Sequence, residues 1–234
     1  MITQDELCLN WAVKYIVKNV DLNKQFVIFD IGANIGDYIQ LLNSNVQANL
    51  SIHSFEPNPK TFERLYERFG GQPNVKLTNA GLGSLDGKMT LYDPGNHGSA
   101  IASLYNRKAF ENFPSQDQPI PIEVDLITID SYIKNNNIKQ VNYMKIDVEG
   151  HELEALKGAK ESFEAGIVNA GQFEMGDTFR DAGITIEDFV SWFDTVGYSI
   201  FYRDIVPANL VRKTSDVITT DNWENLIFVK NTLI

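Results

Sequence analysis

The 234-residue sequence contains one cysteine, three histidines, and no dense run of lysine and arginine. A single cysteine closes no internal disulfide, so nothing in the chain calls for an oxidising compartment. Cys8 recurs with Trp11, Ala12, Tyr15 and Ile16 at helical spacing, which reads as a small buried hydrophobe and not a reactive thiol. No apolar stretch approaches the ~18 residues of a membrane span. The acidic start, residues 1–6, has no apolar core of the kind a secretory leader carries. The expectation is a cytoplasmic protein with no membrane partner. Acids outnumber bases 31 to 20, a formal net charge of -11. A nucleic-acid partner is therefore not expected, because such partners select a basic stripe.

What is present is a globular balance, 43% hydrophobic and 22% charged, on a chain long enough for one well-cored domain. Residues 5–19 read as an amphipathic helix within an N-terminal segment 1–24, ahead of a single domain over 25–234. Short apolar runs at 26–29, 50–55 and 75–78 read as buried strands. A helical stretch follows the first, and Asn58 can cap a helix over 59–69 after the second. Lys88–Tyr92 suggests a further strand, and residues 93–121, with little periodicity, a loop excursion or lid. Strand pattern returns over 123–129, with Asp130 capping a helix to about 136. Strands over 141–146 and 167–173 follow, separated by a helix over 151–163. A helix over 186–195 leads to two last strands, 198–202 and 225–229, with no helix between them. The alternation predicts a doubly wound, mostly parallel α/β sheet. The final two strands should pair antiparallel.

The first turn, Asp30-Ile31-Gly32-Ala33-Asn34-Ile35-Gly36-Asp37, lies between a strand and a helix, on the edge where open α/β sheets bind ligands. Gly32 and Gly36 suit a tight turn and close ligand approach. Asp30 could accept a hydrogen bond from a ligand ammonium. Glu56 ends the second strand, where a carboxylate can take both hydroxyls of a ribose. The bracketing acids Asp30 and Asp37 disfavour a diphosphate, and the glycines do not fit G-x-G-x-x-G. The cofactor that matches is S-adenosylmethionine.

Four segments, 29–38, 55–59, 79–83 and 145–152, resemble the FkbM-type methyltransferases, most specifically Lys145-Ile146-Asp147-Val148-Glu149-Gly150-His151-Glu152. The resemblance spans about residues 26–160. It implies a Rossmann-like class I methyltransferase fold and methyl transfer to an oxygen of a small hydroxylated acceptor, a sugar or a secondary-metabolite hydroxyl. It carries cofactor contacts onto Asp30, Gly32, Asn34, Gly36, Glu56, Pro57, Asn58 and Asp147, and onto Ala80 near the adenine.

A hydroxyl acceptor must lose its proton, which asks for a general base. Asp147, Glu149, His151 and Glu152 converge at the end of a central strand. His151 is the expected base, kept neutral by the helix N-terminus, with Asp147 and Glu149 beside it. Glu174 ends the next strand on the same edge. No motif fixes a metal and none is expected. The alternative is a hard cation on Asp147, Glu149 and Glu174. Two other functions compete: a nicotinamide-dependent oxidoreductase and a cofactor-binding module without catalysis.

Overall fold

The computed structural model describes residues 24–46, 48–95, 98–176, 178–203, 210–212 and 224–234. The helix expected over 5–19, with Cys8, and the loop residue His97 lie outside them. Among the described residues, no helix is long and apolar enough to cross a membrane.

The principal sheet has eight strands among the described residues, with β1 (Phe26–Ile31) in its interior. β2 (Leu50–Phe55) and β3 (Val75–Thr78) lie on one side of it, β7 (Tyr143–Ile146) and β8 (Ala170–Met175) on the other, all parallel. The last strands are β9 (Tyr198–Arg203) and β11 (Glu224–Lys230), and they pair antiparallel as the missing crossover implied. β11 inserts between β8 and β9, so it is antiparallel to both neighbours. A short β10 (Leu210–Arg212), not anticipated in the irregular piece, adds to the outer edge of β9.

Alternate residues of β1 feed two apolar layers, because successive strand side chains point to opposite faces. Phe26 and Ile28 join Ile39 and Leu42 of α1 (Asp37–Asn45) and Leu65 and Phe69 of α2 (Pro59–Phe69). Phe29 and Ile31 join the opposite layer. That layer takes Ile129 and Ile133 of α3 (Ile129–Asn135), Leu156 of α4 (Glu152–Lys157), Phe163 of α5 (Lys160–Glu164), and Phe189 and Phe193 of α7 (Ile186–Val196). This is the doubly wound arrangement.

Three local expectations change. The strand read at 123–129 is β6 (Pro119–Ile127), and it leaves the principal sheet. It pairs instead along the whole of β5 (Gly87–Pro94) and with β4 (Gly81–Leu82), forming a three-stranded sheet. Asp130 does not cap α3. Thr128 does, accepting from the Ser131 amide, while the Asp130 carboxylate takes the Glu161 and Ser162 amides of α5. The helix expected over 151–163 is split into α4 and α5 at Gly158, where a Cβ would stand 2.0 Å from the Gly83 carbonyl oxygen. A short α6 (Thr178–Ala182) was not anticipated.

Candidate active site

β1 is flanked by β2 on one side and β7 on the other, and the chain runs outward from it in both directions. Such a switch point opens a crevice beyond the carboxyl ends of the strands. A cavity of about 250 Å³ lies there. Its walls come from the ends of β1, β2, β7 and β8 and from residues 99–104.

Glu56 lines this cavity. Its Oε2 accepts the Asn34 amide at 3.0 Å and its Oε1 the Asn58 amide at 2.9 Å. Asn34 reaches Glu56 because it adopts φ 47, in the left-handed region that Asn tolerates better than most residues. Burial pushes the Glu56 carboxyl up to about 7, against the two amide bonds, with Asp30 and Asp93 adding to the rise. Each oxygen has taken one donor, and a carboxylate offers about two sites per oxygen. Capacity remains for a pair of donors from the cavity.

Three more carboxylates form a cluster in the same wall. Asp147, Glu149 and Glu174 all line the cavity, and each presents an oxygen within 4.8 Å of the other two. Their environments differ. Burial works against the Asp147 charge, but Lys145 at 2.8 Å outweighs it, and the carboxyl is held below its ordinary range. Burial and the Asp147 charge push Glu174 up to about 9, so it shares its proton with Asp147 at neutral pH. Burial and Asp147 also raise Glu149 to about 7, against the Arg107 guanidinium at 2.8 Å. Glu149 itself has φ 55, a left-handed conformation that the surrounding structure must enforce.

Of the residues expected at the cofactor, Gly32, Asn34, Glu56, Pro57, Ala80 and Asp147 line the cavity. Asp30, Gly36 and Asn58 do not. Asp30 is fully buried behind the wall, near the Ser54 hydroxyl at 3.5 Å. Asn58 caps α2 through the Lys60 amide. Both glycines leave room for neighbouring protein atoms. A Cβ at Gly32 would lie 1.8 Å from the Asp147 carbonyl oxygen, and one at Gly36 would lie 2.4 Å from the Phe69 ring.

The structure also corrects the place expected for His151. The imidazole is buried at the start of α4, outside the cavity wall. Its Nδ1 meets the Tyr105 hydroxyl at 3.0 Å, and its Nε2 faces Gly83. Its pKa is lowered as expected, but chiefly by burial, with Glu154 opposing and Lys157 adding. Glu152 is fully buried, and its Oε1 takes the Val148 and Gly150 amides, bracing the turn that carries Glu149. His53 lies inside β2, bonded to Tyr132 and Ser51, with burial and then Lys76 lowering it to about 4.

Sequence reasoning missed Lys145 and Arg107 as partners of the carboxylates, while the loop excursion or lid expected over 93–121 supplies the wall formed by Ser99, Ala100, Ile101, Ala102 and Leu104. The stretch that holds Arg107 and the wall has no periodicity to reveal it. It is nevertheless fastened down. Asp93 accepts the Gly98 and Ser99 amides, and Ser103 exchanges backbone hydrogen bonds with Tyr92.

Known proteins resemble this chain in sequence and in fold. Hexuronic acid methyltransferase AglP of Haloferax volcanii is 31% identical over 140 residues, covering 59% of this chain and 52% of that protein. Methyltransferase 1 of Beauveria bassiana is 29% identical over 178 residues, covering 62% and 67%. The match therefore spans about half the length of the first of these relatives and two thirds of the second. In fold, the chain is similar to the crystal structure of a methyltransferase FkbM from Methylobacillus flagellatus KT. The TM-score is 0.54 at 16% identity, over 92% of this chain and 47% of that one. It is also similar to the N-terminal domain of human METTL16 in complex with SAH, with a TM-score of 0.51 at 10% identity, over 97% and 70%. Residues 30–200 match the methyltransferase FkbM domain, nearly three quarters of the sequence and every residue that lines the cavity, and the chain belongs to that family.

Proposed function

We propose that this protein transfers a methyl group from S-adenosylmethionine to a hydroxyl oxygen of a small polyhydroxylated acceptor, with sugars the first class to test. The observation that carries the reading is the donor set of the cavity, where Glu56, with capacity for two further donors, lies in one enclosure with the graded acids Asp147, Glu149 and Glu174. S-adenosylmethionine supplies an electrophilic methyl on a cationic sulfonium. Glu56 would take the ribose hydroxyls and the Gly32–Asn34 turn would hold the amino-acid end. The backbone around Ala80 would border the adenine. The negative charge of Asp147, fixed by Lys145, favours a cationic ligand over a diphosphate.

In-line displacement at a methyl draws most of its acceleration from positioning. The acceptor hydroxyl must also give up its proton. Glu149 lines the cavity and titrates near neutrality, which is where a general base works best. Neighbouring acids whose environments separate their titrations divide the work between them. Asp147 stays ionised and orients, Glu174 keeps a proton and donates, and Glu149 accepts. His151, behind the wall, supports the turn through Tyr105. This assigns to Glu149 the role the sequence suggested for His151.

A hard cation on the same three carboxylates is the second reading, favoured by their oxygen-only donors. Against it, Lys145 and Arg107 already balance two of the acids and the shared proton the third. AglP acts, by its name, on a hexuronic acid, so uronates belong in the acceptor panel together with neutral hexoses. Calorimetry with S-adenosylhomocysteine and with NAD tests the cofactor, and label transfer from methyl-labelled donor to the panel tests the reaction. Binding of NAD in place of S-adenosylhomocysteine would overturn the reading. Activity lost to a chelator and restored by Mg²⁺ would replace the proton balance with a metal.

A further inference from the structure

Three residues of one short stretch, Ser103, Tyr105 and Arg107, are spaced two apart and converge on one place. All three reach the turn over 149–151. The Ser103 hydroxyl donates to the Glu149 carbonyl at 2.7 Å, the Tyr105 hydroxyl meets His151 Nδ1 at 3.0 Å, and Arg107 Nη1 donates to Glu149 Oε2 at 2.8 Å. Between them, Leu104 lines the cavity. One stretch thus forms part of the acceptor enclosure and grips the strained residue proposed as the base.

We infer that Arg107 is a positioning residue for methyl transfer, holding the Glu149 carboxylate toward the acceptor and making that alignment depend on the docking of the 99–107 segment. This rests on the reading of Glu149 as the base. The ion pair is almost wholly enclosed, with side-chain exposures of 8% and 15%, so solvent screens it little. Asp181 of α6, 3.6 Å from Arg107 Nε, fixes the guanidinium from the far side. Asp147, Lys145 and Glu174 also face Glu149, but they belong to strand ends and do not leave with the segment. An arginine fits this task because its planar fork can serve two carboxylates at once. If the segment lifts, Glu149 loses both its carboxylate partner and the Ser103 bond to its backbone, and its left-handed conformation loses its support. Alignment of the base then coincides with enclosure of the acceptor, and proton removal is confined to the closed site.

The test is a double-mutant cycle on the full chain, using an acceptor that the wild type methylates. R107M should lower kcat about 10²-fold, the scale of a misplaced catalytic group, while S-adenosylhomocysteine affinity by calorimetry stays within twofold. R107K should recover part of the loss. In an E149Q background, R107M should cost nothing further, because a residue that acts only through Glu149 has nothing left to position. Additive losses in the double variant would overturn the inference. So would equal damage to kcat and to product affinity, the mark of a merely structural role. If R107M does not fold, the same cycle run with R107K decides the question. Full activity in E149Q alone would instead overturn the reading of Glu149, and the inference with it.

Discussion

Glu56 gives a prediction whose size and sign both follow from the structure. Replace it by glutamine. The carboxylate accepts the Asn34 and Asn58 amides and, in the proposed complex, two ribose hydroxyls. The amide keeps one oxygen and turns an N–H₂ toward groups that themselves donate. Charge-assisted bonds are worth about 1.5–3 kcal/mol against about 1 for neutral ones. The variant loses at least one charge-assisted bond outright and should therefore bind S-adenosylhomocysteine at least about 10- to 150-fold more weakly. The pH dependence is equally specific. With the carboxyl near 7 in the free protein, ionised Glu56 is the form that accepts both hydroxyls. Binding favours that form and releases a proton where the free protein holds one. Wild-type affinity should be level above about pH 7 and fall as pH drops below it, by at most tenfold per unit. In E56Q this limb should vanish. Calorimetry between pH 5.5 and 8.5 measures both effects, and an unchanged affinity or a surviving pH limb would refute the assignment of Glu56 to the ribose.

Other perturbations test the scaffold around the site. Glu152 is buried and pushed up to about 8 from 4.5, chiefly by burial, so its contribution to stability is present below 4.5 and lost as pH rises to 8. The full loss is about 5 kcal/mol at most, since one unit corresponds to about 1.4. E152Q, which keeps an acceptor for Val148 and Gly150, should flatten the pH profile of denaturant unfolding relative to wild type. Parallel profiles would contradict this. Gly158→Ala drives a methyl against the Gly83 carbonyl and should cost about 1–3 kcal/mol, read as a lower unfolding midpoint; an unchanged midpoint would mean that the α4–α5 junction yields freely. His151→Ala should retain methylation within about tenfold, because a group outside the cavity contributes no proton transfer. A loss in the ~10²–10⁴ range typical of a general base would return that role to the histidine.

The parallel half of the fold was legible because its strands are buried on both faces and written as apolar runs such as Phe26–Phe29. The antiparallel ending was legible from a missing helix. The separate sheet of β4, β5 and β6 was not, since residues 123–127 carry the same alternation whichever sheet they join, and only the register along β5 decides it. In the site, Glu56, Asp147 and Glu149 were readable because strand ends fix their edge. His151 was misplaced by the same rule: position at a helix start fixes the edge but not the direction of the side chain. Here Tyr105 and Gly83 enclose the ring. Arg107 and the wall over 99–104 come from a stretch whose order depends on the buried Asp93, Ser103 and Phe110, contacts that no local pattern announces.

The most direct measurement is the turnover of methyl-labelled S-adenosylmethionine by wild type and E149Q, on the hydroxylated acceptor identified from the sugar panel. The account predicts an alkali-stable methyl ether from the wild type and a rate ~10²–10⁴-fold lower in E149Q, with the affinity for S-adenosylhomocysteine preserved. Equal rates in the two proteins, or label recovered on nitrogen or carbon instead of oxygen, would contradict it.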